Sequence, residues 1–104
     1  MIFITYWEIN PDFDPAELAG IAQELINKKV YPAEGVTELA FYISTSDYWG
    51  IGIDEADSEE ALARNVNMWR IAKPGFIKFI KSTPAMEVVK ILPVLVKLKK
   101  QIKG

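Results

Sequence analysis

Strand-like and helix-like segments follow one another along this chain in an order that leaves few topologies open. Residues 2–9, Ile-Phe-Ile-Thr-Tyr-Trp-Glu-Ile, are β-branched and aromatic and read as a strand that Asn10-Pro11-Asp12 ends. A helix follows. Asp14 suits its N-cap, Pro15 its first position and Glu17 a capping box. Leu18, Ile21, Ala22 and Leu25 then recur at helical spacing up to Lys28-Lys29, whose charge favours a helix C-terminus. Beyond the turn residues 31–35, residues 37–45 and 48–54 form two more strands, joined as a hairpin at Ser46-Asp47. Asp57 or Ser58 caps a second helix that runs to Ala72, and Lys73-Pro74-Gly75 stops it. Residues 76–81 are expected to form a short extra helix. Pro84 is expected to open the last strand, over residues 85–91. Residues 95–104 carry Lys97, Lys99, Lys100 and Lys103 and are expected to be a basic tail on a domain spanning 1–94.

The order β-α-β-β-α-β with right-handed crossovers gives an α+β, ferredoxin-like fold: a four-stranded antiparallel sheet with two helices on one face. The other face should be polar in a monomer, but the pattern is apolar on both sides. Ile2, Ile4 and Tyr6 point one way and Phe3, Thr5, Trp7 and Ile9 the other. Leu39, Phe41 and Ile43 likewise oppose Ala40 and Tyr42. A bare apolar sheet face marks an interface, so a homodimer packed sheet against sheet is expected.

Composition narrows the chemistry. The chain contains neither cysteine nor histidine, which excludes disulfides, thiolate nucleophiles, and metal sites or catalytic triads built on histidine. No cofactor or metal is expected. A net charge of −2 and a pI near 5.1 speak against a nucleic-acid partner. No apolar run approaches the ~20 residues of a membrane span, and nothing at Met1 to Asn10 reads as a signal peptide, so a cytoplasmic protein is expected. The acidic run Asp54 to Glu60 lacks the glycine turn and distal glutamate of a calcium loop and reads as helix-capping charge.

Four stretches carry a resemblance, through their order and spacing. They are Met1–Trp7, Gly52–Asp57 with Ala61-Leu62, Trp69 late in the second helix, and Glu87–Val94. Together they resemble the dimeric α+β barrel superfamily. Within it the chain is similar to a family of short bacterial and archaeal proteins described as a domain of unknown function. The resemblance implies a barrel built from two sheets, one per subunit. Superfamily relatives include cofactor-free monooxygenases, lactone isomerases, dehydratases and haem-handling enzymes. Many of them use a histidine that this sequence lacks.

Carboxylates, tyrosines and lysines remain for acid–base work. Tyr6, Trp7, Tyr42, Tyr48, Trp49 and Trp69 form a conspicuous aromatic set, and all of these but Tyr48 are, with Asn65, the candidate lining of a pocket for a small apolar or aromatic molecule between sheet and helices. Gly50 and Gly52 share one face of the third strand. Either a ligand approaches the backbone there or a bulky residue such as Trp69 fills the space. Glu55 and Glu87 are the carboxylates to test, and Glu87 in a strand would need a partner such as Arg64 or Arg70. Three functions fit: a small-molecule binder first, then a cofactor-free monooxygenase- or isomerase-like enzyme, then a structural or regulatory association module.

Overall fold

The computed structural model describes residues 1–104. Its elements are β1 (Ile2–Ile9), α1 (Glu17–Asn27), β2 (Val36–Ile43), β3 (Trp49–Ala56), α2 (Glu59–Ala72), β4 (Ile77–Pro84) and α3 (Val88–Lys103). The strands form one antiparallel sheet in the order β2-β3-β1-β4. This is the ferredoxin-like arrangement, with β1 and β3 in the centre. At the start of α2, Ser58 Oγ accepts the Ala61 N–H at 3.1 Å, as a serine N-cap should. At α1 the cap falls on Ala16 instead of Asp14. The Asp14 carboxylate accepts the Ala16 N–H at 2.9 Å, and Glu17 pairs with Lys73 rather than completing a capping box.

The last third of the chain corrects two expectations. Residues 77–84 are the edge strand β4, not a short helix. Phe76, Ile77, Phe79 and Ile80 imitate helical spacing because β4 carries an irregularity. Glu8 pairs with Phe79 but Ile9 pairs with Ile77, so Lys78 is an extra residue and the alternation breaks there. Gly75, with φ +86°, turns the chain from α2 directly into this strand, and Phe76 is fully buried. Residues 88–103, expected to hold the fourth strand and a tail, are one helix, α3, with Pro93 inside it. Val88, Ile91, Leu92, Leu95 and Ile102 share one side of it, and Lys90 and Lys97 lie opposite. The β-branched start of this amphipathic pattern imitates a strand. The helix runs through residues 94 and 95 without a break.

Helix α3 packs against no other element and buries none of its residues. It stretches the molecule to 55 × 30 × 20 Å with a radius of gyration of 16.7 Å, against about 13 Å for a compact chain of this length. No helix is long and apolar enough to cross a membrane.

The core between the sheet and α1 and α2 divides in two. Phe3, Ala33, Val36, Ala56, Ala61 and Leu62 form one apolar cluster. Trp7, Ile9, Ile21, Leu25, Trp69 and Phe76 form the other. The buried polar residues Thr5, Asp54 and Asn65 lie along the seam between them. On the opposite face Ile4, Tyr42, Trp49 and Phe79 are exposed, so that face is both open and apolar.

Candidate functional site

The seam opens into a cavity of about 40 Å³. Every strand contributes to its wall: Thr5 and Trp7 from β1, Phe41 from β2, Gly52 and Asp54 from β3, Ile77 and Ile80 from β4. Leu18 from α1, Tyr31 from the following loop and Asn65, Val66 and Trp69 from α2 close the other side. Strand pairing explains the convergence. Thr5 opposes Gly52 and Phe3 opposes Asp54 across β1 and β3, and Gly52 in turn opposes Phe41 on β2. A β-bulge at Leu39 restores the alternation so that both Glu38 and Phe41 face the helices, with Glu38 directly opposite Asp54.

Four rings make the aromatic part of the wall. Tyr31 and Trp69 meet edge to face at 5.1 Å, Trp7 and Phe41 lie 5.7 Å apart, and Phe41 and Trp69 lie 6.1 Å apart. Phe41 is 42% exposed and stands at the open side of the cavity. The glycines play different parts. A Cβ at Gly50 would overlap the Trp7 ring and the Tyr42 carbonyl oxygen, so Trp7, rather than Trp69, takes that space. A Cβ at Gly52 would meet the Phe41 ring at 3.7 Å and Asp54 Oδ2 at 3.9 Å, which is ordinary contact, so this glycine leaves part of the cavity open.

Asp54 is the chemically unusual member. It is 5% exposed as a residue, and its carboxylate has neither a protein hydrogen-bond donor nor a cation beside it, its oxygens facing the cavity and keeping residual contact with solvent there. Burial, and then the charge of Glu38, push its carboxyl from 3.8 up to about 6. Glu38 accepts a short hydrogen bond from the Tyr31 hydroxyl, and burial followed by that bond raises the tyrosine well above its ordinary range. Thr5 and Ser82 hydroxyls satisfy each other at 2.7 Å. The Trp7 indole N–H is buried with no acceptor in reach. Asp54 and Glu38 have no third carboxylate beside them, which falls short of a metal cluster. The site can therefore enclose a small group, offer it one strong acceptor, and take or give a proton near pH 6.

Of the candidate residues, Trp7, Asn65 and Trp69 line the cavity. Asn65 has a framework task there: its Oδ1 accepts the Ala33 N–H at 2.8 Å and ties α2 to the loop before β2. Tyr6, Tyr42 and Trp49 lie on the opposite, open face of the sheet. There Tyr6 stacks on Trp49 at 6.1 Å and donates to Glu8 at 2.6 Å. Glu55 also points to that face and contacts the Met1 ammonium. Glu87 precedes α3 in the open and pairs with Lys90 at 3.5 Å, while Arg64 pairs with Glu60, so neither arginine serves Glu87. Sequence reasoning missed Asp54, Glu38, Tyr31 and Phe41. For Asp54 a signal existed: it lies two residues beyond Gly52 on the face shared with Gly50.

None of the curated proteins compared matches the chain. A family model described as a domain of unknown function (DUF3303) matches residues 1–99, and the chain belongs to that family.

Proposed function

We propose that the protein binds a small molecule in the seam cavity and works as a homodimer paired through its open sheet face. One observation carries the first part: Asp54 is buried, charged near neutral pH and unpartnered in an otherwise apolar, aromatic-walled cavity. A carboxylate placed this way costs folding free energy rather than supplying it, which supports a use in ligand binding. The volume of about 40 Å³ accommodates roughly three water-sized positions. The ligand, or the end of it that enters, is accordingly a group of few atoms, and a whole ring requires Phe41 to swing outward. The test is NMR of the tryptophan indole N–H groups during titration with small alcohols, amines, carboxylates and phenols. Trp7 and Trp69 should shift saturably, Trp49 should stay still, and Gly52→Val should block the response with the fold intact. A full panel that leaves Trp7 and Trp69 unmoved would sink the proposal.

The dimer reading rests on the open face, where Ile4, Tyr42, Trp49 and Phe79 are exposed and the Tyr6 ring packs against both Trp49 and Phe79. Helix α3 belongs to the same interface. It carries five lysines and no acid, whereas residues 1–87 hold seven basic and fourteen acidic side chains. An unsupported amphipathic helix of 16 residues is marginal in water, and the acidic body of a second copy complements it. Light scattering of the native protein should give twice the chain mass, and Ile51→Lys on the open face should give the monomer.

A cofactor-free isomerase is the second reading. It is favoured by the Asp54 carboxyl being set near 6 beside the cavity, where it is suited to shuttle a proton. Loss of turnover of a keto–enol substrate in Asp54→Asn, with binding retained, would support it over simple binding.

A further inference from the structure

We infer that the cavity ligand is a small organic cation: an alkylammonium group held between the Asp54 carboxylate and the Trp7, Tyr31, Phe41 and Trp69 rings. The inference rests on the ligand-binding proposal above and adds the charge of the ligand.

The first ground is charge balance. Among the residues lining the cavity, Asp54 alone is charged. The neighbour facing it across the strands is a second carboxylate, Glu38, already engaged with the Tyr31 hydroxyl. No lysine or arginine reaches the site. Lys73 is held by Glu17 at 3.3 Å and Arg64 by Glu60 at 3.1 Å, and neither lines the cavity. A buried carboxylate needs a countercharge or a proton. An anionic ligand would meet two negative groups and no donor cation. A neutral hydroxyl would give Asp54 one hydrogen bond and leave its charge unbalanced. An ammonium supplies both hydrogen bonds and charge.

The second ground is the wall. Cations are attracted to the faces of tryptophan, tyrosine and phenylalanine within about 6 Å of the ring centre. Here four rings linked by centroid distances of 5.1 to 6.3 Å line the same cavity as the carboxylate. The third ground is size. A volume of about 40 Å³ suits an aminoalkyl end and is too small for a dye or a nucleobase.

The test uses three probes of similar size on the native protein: n-propylammonium, propan-1-ol and propionate. The three tryptophans give the readout, since Trp7 and Trp69 line the cavity and Trp49 lies on the far face. Ligands this small bind weakly, with dissociation constants in roughly the high micromolar to millimolar range. The expected result is saturable movement of Trp7 and Trp69 with propylammonium at least about tenfold tighter than propan-1-ol, and no response to propionate. Asp54→Asn should erase that preference while its melting temperature stays at or above that of the parent. Phe41→Leu, which keeps the charge and opens the wall, should weaken the cation several-fold and leave the alcohol unchanged. Equal binding of alcohol and ammonium at Trp7 and Trp69 would overturn the cation assignment and leave the ligand site standing. Movement of Trp49 alone, or an unchanged preference in Asp54→Asn, would overturn it as well.

Discussion

Asp54→Asn should make this protein more stable at neutral pH and leave it unchanged in acid. The carboxyl rises from 3.8 to about 6 on folding, with burial as the main cause and Glu38 as the second. Between those values the folded state holds a proton that the unfolded state has released, so stability falls as pH rises through the window. The penalty is absent below about pH 3.8, where both states are protonated, and complete above about pH 6. This is the reverse of the usual carboxylate, whose ion pair is lost in acid. The difference corresponds to at most about 3 kcal/mol at 1.36 kcal/mol per pH unit. The amide still has to be buried, and solvent at the cavity mouth screens part of the charge, so a gain of about 1–2 kcal/mol is expected. For a chain of this length that is about 5–10 °C in melting temperature. The other charged or titratable groups near the carboxyl are Glu38 on β2 and Tyr31 in the preceding loop; the lining residues from β1, β4, α1 and α2 carry no charge. Urea denaturation of parent and variant at pH 7.5 and at pH 3.5 gives the answer. The midpoints should separate at pH 7.5 and coincide at pH 3.5. A variant weaker than the parent at pH 7.5, or equally shifted at both, would mean that Asp54 makes a stabilising contact, and the description of it as an uncompensated buried charge would fail.

The two glycines of β3 should respond in opposite directions. Gly52→Ala adds a Cβ in ordinary contact and should stabilise by about 0.5–1 kcal/mol, whereas Gly50→Ala drives a methyl into the Trp7 ring and should cost about 2–3 kcal/mol or prevent folding; thermal melts of the pair suffice. Asn65→Ala strands the buried Ala33 N–H and should cost about 1–3 kcal/mol in a urea titration, with α2 still helical by circular dichroism. Truncation after Glu87 removes five lysines and the unpacked helix, so it should weaken the proposed dimer without lowering the stability of the sheet and its two packed helices. For the full chain, raising salt from 50 to 500 mM should weaken association in the same direction if the basic helix meets the acidic body.

How much of this was legible depends on whether a segment's local pattern agrees with its packing. β1 is legible because its alternation is strict: Phe3, Thr5, Trp7 and Ile9 are buried, and the residues between them face the open side. The start of α2 is legible because a serine cap and an acidic first turn point to the same place. β4 is not, because a single extra residue, Lys78, shifts its apolar positions into a helix-like rhythm. α3 is not, because its first residues are β-branched and nothing packs on it, so neither propensity nor burial exposes its period. The site divides the same way. Trp7, Asn65 and Trp69 sit in regular elements whose facing direction follows from spacing alone. Phe41 and Glu38 share a face only through the bulge at Leu39, and Tyr31 comes from a loop, where no periodicity applies. Asp54 hid for another reason. It heads a run of five acids, Asp54 to Glu60, of which only Glu59 and Glu60 fall in the first turn of α2 while Asp54 and Glu55 lie on β3, and composition cannot separate the one that the strand carries indoors. Its place on β3, two residues from Gly52 and opposite Phe3, makes the same side chain an interior charge. Strand register, rather than residue type, is therefore what converts an ordinary surface acid into the group on which the proposed ligand site depends.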